Sequence, residues 1–232
     1  MRRLWRWLRW PIGLLVGLVL VAQLFFFAQV VWLRFVDPTT TSFMRAEQAR
    51  LSMAQSRPVV LRHRWVDYSR ISSQAKRAVV AAEDSGFTQH DGIDWEAIEK
   101  AAKDNLRKGK IKRGGSTITM QLAKNLFLSS ERSFVRKAQE VVLTGMLELV
   151  HDKRRLLELY LNVAEWGVGV FGIEAAAQHY FGIPAAALTA EQSAWLAAIL
   201  PAPRRYDRNR QSDWLQEKSI IILERMPKVA IP

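Results

Sequence analysis

The 232-residue chain contains no cysteine. Disulfides and thiolate nucleophiles are therefore excluded, although this alone does not fix the compartment. Between Pro11 and Leu33 there is no charged residue, and no acidic residue precedes Asp37. No convincing alternating strand pattern appears beyond that run, so a mainly helical domain is expected. Ser73-Gln74-Ala75-Lys76 spells S-x-x-K, but neither K-T-G nor S-x-N follows, so no transpeptidase domain is expected and Ser73 reads as a helix cap. Gly167, Gly169 and Gly172 spell G-x-G-x-x-G, yet the segment before them reads as helical, so they read as a helix connector rather than a dinucleotide site. No group of residues has dedicated metal-ligand spacing.

What is present is strongly basic. A net charge of +12 and a pI near 10.4 call for an anionic partner. Arg2, Arg3, Arg6 and Arg9 alternate with Trp5, Trp7 and Trp10 before the charge-free run, which is long enough to cross a bilayer. The run exceeds a signal-peptide core and no small-x-small cleavage site follows, so an uncleaved anchor with a cytoplasmic N-terminus is expected. Only four of the 34 Lys and Arg precede the anchor, so the outer part remains basic by +8 against 22 acidic residues. A basic surface outside the cytoplasm disfavours nucleic acid. The expected layout is a basic N-terminus at 1–10, an anchor at 11–33, a juxtamembrane connector at 34–70 and one domain at 71–232.

Ala75, Ala78, Val79 and Ala82 recur at helical spacing and carry Glu83-Asp84 to a helix end. Phe87, His90 and Asp91-Gly92 follow, then Asp94 as cap of a second helix. Five cations between Arg107 and Arg113 lead into Gly114-Gly115-Ser116-Thr117. There Ser116 or Thr117 can cap a helix whose free N–H groups favour an anion. Thr117, Gln121 and Lys124 fall on one stripe of it, with Asn125 next in line. Ser133 caps a further helix with an apolar stripe of Ala138, Val141, Val142, Gly145 and Leu149. Leu143, Thr144 and Leu147 make the Glu140 side apolar too, which predicts burial all round past Val141. A buried Glu140 then needs Arg136 and Lys137 as partners. Lys153 to Asn162 forms another amphipathic helix, and Thr189 with Gln192 makes a capping box.

Glu83 to Gly92, Gly114 to Asn125, Arg136 to Glu140 and Lys153 to Asn162, in this order, resemble the motifs of one family. The chain is similar to the monofunctional biosynthetic peptidoglycan glycosyltransferases of glycosyltransferase family 51, the type that also forms the glycosyltransferase domain of bifunctional penicillin-binding proteins. The resemblance covers roughly Ile71 to Pro203 and implies a mainly α, lysozyme-like helical domain that polymerises lipid II into glycan strands. It implies that Glu83 is the base for the acceptor's 4-hydroxyl and Glu140 the second carboxylate, orienting cations or managing a proton. Lys124, Arg136 and Lys137 would hold diphosphate, assisted by Ser116, Thr117, Gln121 and Asn125. Asp84, Phe87, His90, Gly114 and Gly115 would support them. The resemblance admits a divalent cation, Mg or Mn, near Glu83 and Asp84. The segment from Ile98 to Ile111 resembles the family's membrane-embedded lip. Implied partners are lipid II, the growing strand, the bilayer and other cell-wall synthesis or division proteins, with the domain outside the bacterial inner membrane.

A lytic muramidase on the same fold would leave the cations idle, since a sugar–sugar bond has no diphosphate to neutralise. A non-catalytic tether binding through net charge would tolerate loss of Glu83.

Overall fold

The computed structural model describes residues 2–108, 115–131 and 133–232, with side chains from Trp10 onward except at 100, 102 and 104–108. Two compact units meet between Asp37 and Pro38. The first is the helix α1 (Arg2–Trp32), whose Trp10–Trp32 stretch has a mean hydropathy of 2.5 and is almost wholly exposed. Exposure of so apolar a helix separates it from a core helix and fits a membrane anchor.

The second unit is mainly helical, as expected. It contains α2 (Ser42–Gln55), β1 (Arg62–His63), α3 (Ser73–Glu83), α4 (Trp95–Lys108), α5 (Ile118–Phe127), α6 (Phe134–Val150) and α7 (Lys153–Val163). Then come β2 (Glu165–Gly167), β3 (Val170–Phe171), α8 (Ile173–Phe181), α9 (Ala190–Ile199), α10 (Pro203–Arg208) and α11 (Asp213–Arg225). At its centre α7 buries Leu156, Leu157, Leu159, Tyr160 and Leu161 almost completely. Each such leucine contributes roughly 1.5–3 kcal/mol on leaving water. One layer packs α5 on α6 and α7; another packs α3 against α9 and α11. The residues of the candidate site stand where α3 ends, where α5 begins and in the first turns of α6.

Several expectations are corrected. The segment at 38–70 is part of the domain rather than a connector: α2 packs on α5, and the Asn162 side chain takes both the N–H and the C=O of Val66. Its polar look arises because α2 buries only Met44, Glu47 and Leu51. Gly167 to Gly172 is a hairpin, not a helix connector. β3 pairs with β2 antiparallel and with β1 in parallel, Arg62 facing Val170 and His63 facing Phe171. Strands of two or three residues are too short to show alternation. Gly172 is required there, because its φ is +82° and a Cβ would lie 2.7 Å from the Asn162 carbonyl oxygen.

The cap of α3 is Ser72, which accepts the N–H of Gln74, while Ser73 is already helical. Helix α6 is not buried all round. Glu140, Leu143, Thr144 and Leu147 face α5 and α7, and the opposite stripe is open, with Val142 44% and Leu149 78% exposed. Both faces are apolar, but the described residues cover only one.

Candidate active site

Glu83 is the last residue of α3, half-buried, and its Oε2 accepts a hydrogen bond from Gln121 Nε2 at 2.6 Å. Gln121 Oε1 in turn accepts from the Tyr160 hydroxyl at 3.0 Å, so α7 fixes which way the amide points. Burial pushes the Glu83 carboxyl above its ordinary range, while the Gln121 donor and the nearby charges of Lys218 and Lys124 pull it back. A half-desolvated carboxylate with one fixed donor is what a general base needs. Tyr160 lies in the Lys153 to Asn162 motif, yet its link to Glu83 needs the tertiary fold. Its own hydroxyl is held protonated by complete burial and by the charges of Glu83 and Asp84.

Asp84, His90 and Phe87 form the support beneath it. His90 Nε2 bonds Asp84 Oδ1 at 2.9 Å, and Asp84 Oδ2 accepts the N–H of Ile118 at 3.1 Å. Phe87 is fully buried, with the Lys153 ammonium 4.7 Å from its ring centre. The start of α5 therefore already has an anion. Asp84 supplies from within the protein the negative charge expected of a bound phosphate. Thr117 is the cap, accepting the Met120 N–H, and its own proton goes to the Gly92 carbonyl at 2.5 Å. It is thus a structural residue rather than a free substrate donor. A Cβ on Gly115 would lie 2.7 Å from Ile98, so this glycine allows α4 to approach. Gly114 and the loop at 109–113, with much of the expected lip, lie outside the described residues.

The cations meet around Glu140. This carboxylate, 3% exposed, binds Arg136 through Oε2 at 2.6 Å and Lys137 through Oε1 at 2.5 Å. Lys137 Nζ also reaches Ser116 Oγ at 3.2 Å, which joins the α6 cations to the start of α5. Arg136 Nε is buried without a partner among the described residues. Such an orphan donor is costly unless a ligand takes it. The Lys124 ammonium forms no hydrogen bond or ion pair among the described residues and stands 5.3 Å from the Phe43 ring centre. Burial lowers its affinity for a proton, Glu140 partly restores it, and Arg136 and Lys137 lower it again. Asn125 is buried on the same helix. Three cations around one carboxylate leave net positive charge for an anionic group.

A cavity of about 170 Å³ opens at the end of α3 and the start of α5, walled by Glu83, Asp84, Asp94, Ser116, Thr117 and, from α11, Arg225. No motif pointed to α11. Asp84, His90 and Asp94 bring ligand atoms within 4.8 Å of one another. This set does not fit a resident Mg or Mn ion. Hard cations want six or more oxygens, whereas both Asp84 oxygens are taken, Asp94 Oδ1 holds the Ala97 N–H and Glu83 holds Gln121.

Residues 48–227 match the family model described as Transglycosylase. The chain belongs to the transglycosylase family. This transglycosylase is 51% identical over 232 residues to a biosynthetic peptidoglycan transglycosylase of Janthinobacterium sp. (strain Marseille), covering all of both chains. It is 53% identical over 232 residues to the protein of that name from Herminiimonas arsenicoxydans, again over both full lengths. With that of Laribacter hongkongensis (strain HLHK9) it shares 54% over 228 residues, 98% of this chain and 99% of the relative. The transglycosylase match takes in the second half of α2 and all of α11.

Proposed function

We propose that Glu83 is the general base of glycosyl transfer from a lipid-linked diphosphate donor, and that Lys124, Arg136 and Lys137 hold the departing diphosphate. The enzyme is a peptidoglycan glycosyltransferase that polymerises lipid II into glycan strands. The observation that carries the assignment of roles is the shared placement on α5. Gln121 of this helix holds Glu83, and Lys124, one turn on, reaches the electrostatic cluster of Glu140.

In this reading Glu83 takes the proton of the acceptor's 4-hydroxyl, whose oxygen forms the new bond to the anomeric carbon. The bond from that carbon to the diphosphate breaks on the opposite face, so the centre inverts. The diphosphate keeps the bonding electrons, and its charge is met by Lys124, Arg136 and Lys137. Both Glu140 oxygens are engaged by those cations, which supports an orienting role rather than proton transfer. Asp84 and His90 brace the two helices. The helix α1 anchors the domain, and the four arginines before its charge-free stretch support an N-terminus in the cytoplasm and a domain on the outer face of the inner membrane.

The test is incubation of the purified protein with lipid II in detergent and sizing of the products. Polymeric strands are expected, and release of sugars from finished strands instead would overturn the direction of the reaction.

A further inference from the structure

Helix α11 is seated by Leu215, Ile222 and Met226, all buried, against α3 and α9. Lys218 and Arg225, seven residues apart, each follow one of the first two by three positions. They therefore share one stripe of the helix, beside its buried face. That stripe reaches the end of α3. Arg225 walls the cavity that holds Glu83 and Ser116, and the charge of Lys218 acts on the Glu83 carboxyl.

We propose that Arg225 contacts the substrate in this cavity and holds one of its anionic oxygens, a phosphate or a carboxylate. The inference rests on the reading of Glu83 as the base. Two lipid-linked sugars must meet at that base, each bearing a diphosphate, while the Lys124, Arg136 and Lys137 cluster accounts for one. Arg225 is the one cation among the described residues lining the cavity. Its side chain is exposed and forms no ion pair or hydrogen bond with any described residue. The carboxylates that line the cavity with it are engaged elsewhere through at least one oxygen, Glu83 through Oε2 with Gln121, Asp84 through both with His90 and Ile118, and Asp94 through Oδ1 with Ala97. A guanidinium left with its donors free beside a reactive carboxylate suits a bidentate oxyanion.

The full-length protein in detergent tests this with lipid II. Arg225→Ala is expected to raise KM roughly tenfold or more, the usual worth of a hydrogen bond to a charged group, with kcat within about threefold of wild type. Arg225→Lys should lie between the two, and Arg208→Ala, an exposed control on α10, should match wild type. Two inhibitors separate the sources of the anion. A polyprenyl diphosphate that loses potency against Arg225→Ala identifies the phosphate, and a phosphate-free disaccharide-peptide that does so identifies the carboxylate. Wild-type KM together with unchanged inhibition by both overturns the proposal. A wild-type protein that makes no strands would instead remove the reading of Glu83, so the two failures are distinct.

Discussion

Gln121 holds Glu83 at 2.6 Å and is itself held by the hydroxyl of Tyr160. The base is thus fixed by α5 and α7 as well as by its own helix, and the amide cannot flip without losing the Tyr160 bond. Glu83→Gln keeps the size and an acceptor oxygen for Gln121. Polymerisation should fall by about 10²–10⁴, the usual contribution of a general base. Circular dichroism should remain that of the wild type. Comparable strand synthesis by the variant would take Glu83 out of the role.

The same carboxyl sets a pH dependence of stability. Its folded pKa is raised, chiefly by burial, so its contribution is fully present below the unfolded value of about 4.3 and is lost as pH rises through the folded value. Activity should rise over that window while stability falls, because the ionised form is both the base and the costly state to bury. Relative to wild type, Glu83→Gln should therefore melt higher at neutral pH, and the gap should close near pH 4. A gap independent of pH would mean that the gain has another source.

Lys218 offers a test of charge alone. It acts on Glu83 from α11 and lowers the pKa of that carboxyl, so Lys218→Met should move the acidic limb of kcat/KM to higher pH. Near the alkaline plateau the two enzymes should agree. Loss of rate at every pH, with no displaced limb, would point to a packing role instead.

Much of this site could be read in advance because its parts lie on short local repeats. Glu140, Arg136 and Lys137 meet as the i−4 and i−3 spacing requires, and Asp84 with His90 stands as a hydrogen-bonded brace. Other features depended on packing that no local pattern reveals. Whether a phosphate or Asp84 answers the start of α5 is decided by the approach of α3, 34 residues earlier. Helix α6 has two apolar faces, and only the positions of α5 and α7 decide which is covered. Lys218 and Arg225 lie more than 130 residues beyond Glu83 in an unremarked amphipathic helix, and they join the site only because Leu215 and Ile222 seat that helix against α3 and α9.

The cation cluster should behave as a site and not as diffuse charge. Lys124→Ala and Arg136→Ala should each weaken turnover of the diphosphate-linked donor. Arg136→Lys should also be impaired, since a lysine supplies neither the buried Nε donor nor the planar fork. Lys103→Ala is the control, because that side chain is exposed and pairs only with exposed Glu99 at the surface. Steady-state rates at fixed ionic strength decide the matter. Equal losses at all three positions would show that only net charge counts.

Anchor and domain should be separable, because residues 38–232 form a compact unit with its own core. Removal of residues 1–33 should leave a protein that unfolds cooperatively and still acts on lipid II in detergent, though less well, since it has lost a strong hold on the amphiphile phase. In the intact protein the C-terminus is tied to the domain, Arg77 donating to the Val229 carbonyl at 2.7 Å and the Tyr68 hydroxyl to that of Pro232. A compartment-sensitive reporter joined after Pro232 through a flexible linker therefore reports where the domain itself lies. Four arginines before Pro11 and no charge as far as Leu33 predict the non-cytoplasmic side. A cytoplasmic signal would sink the orientation, since strands assembled there would be on the wrong side of the membrane from the wall.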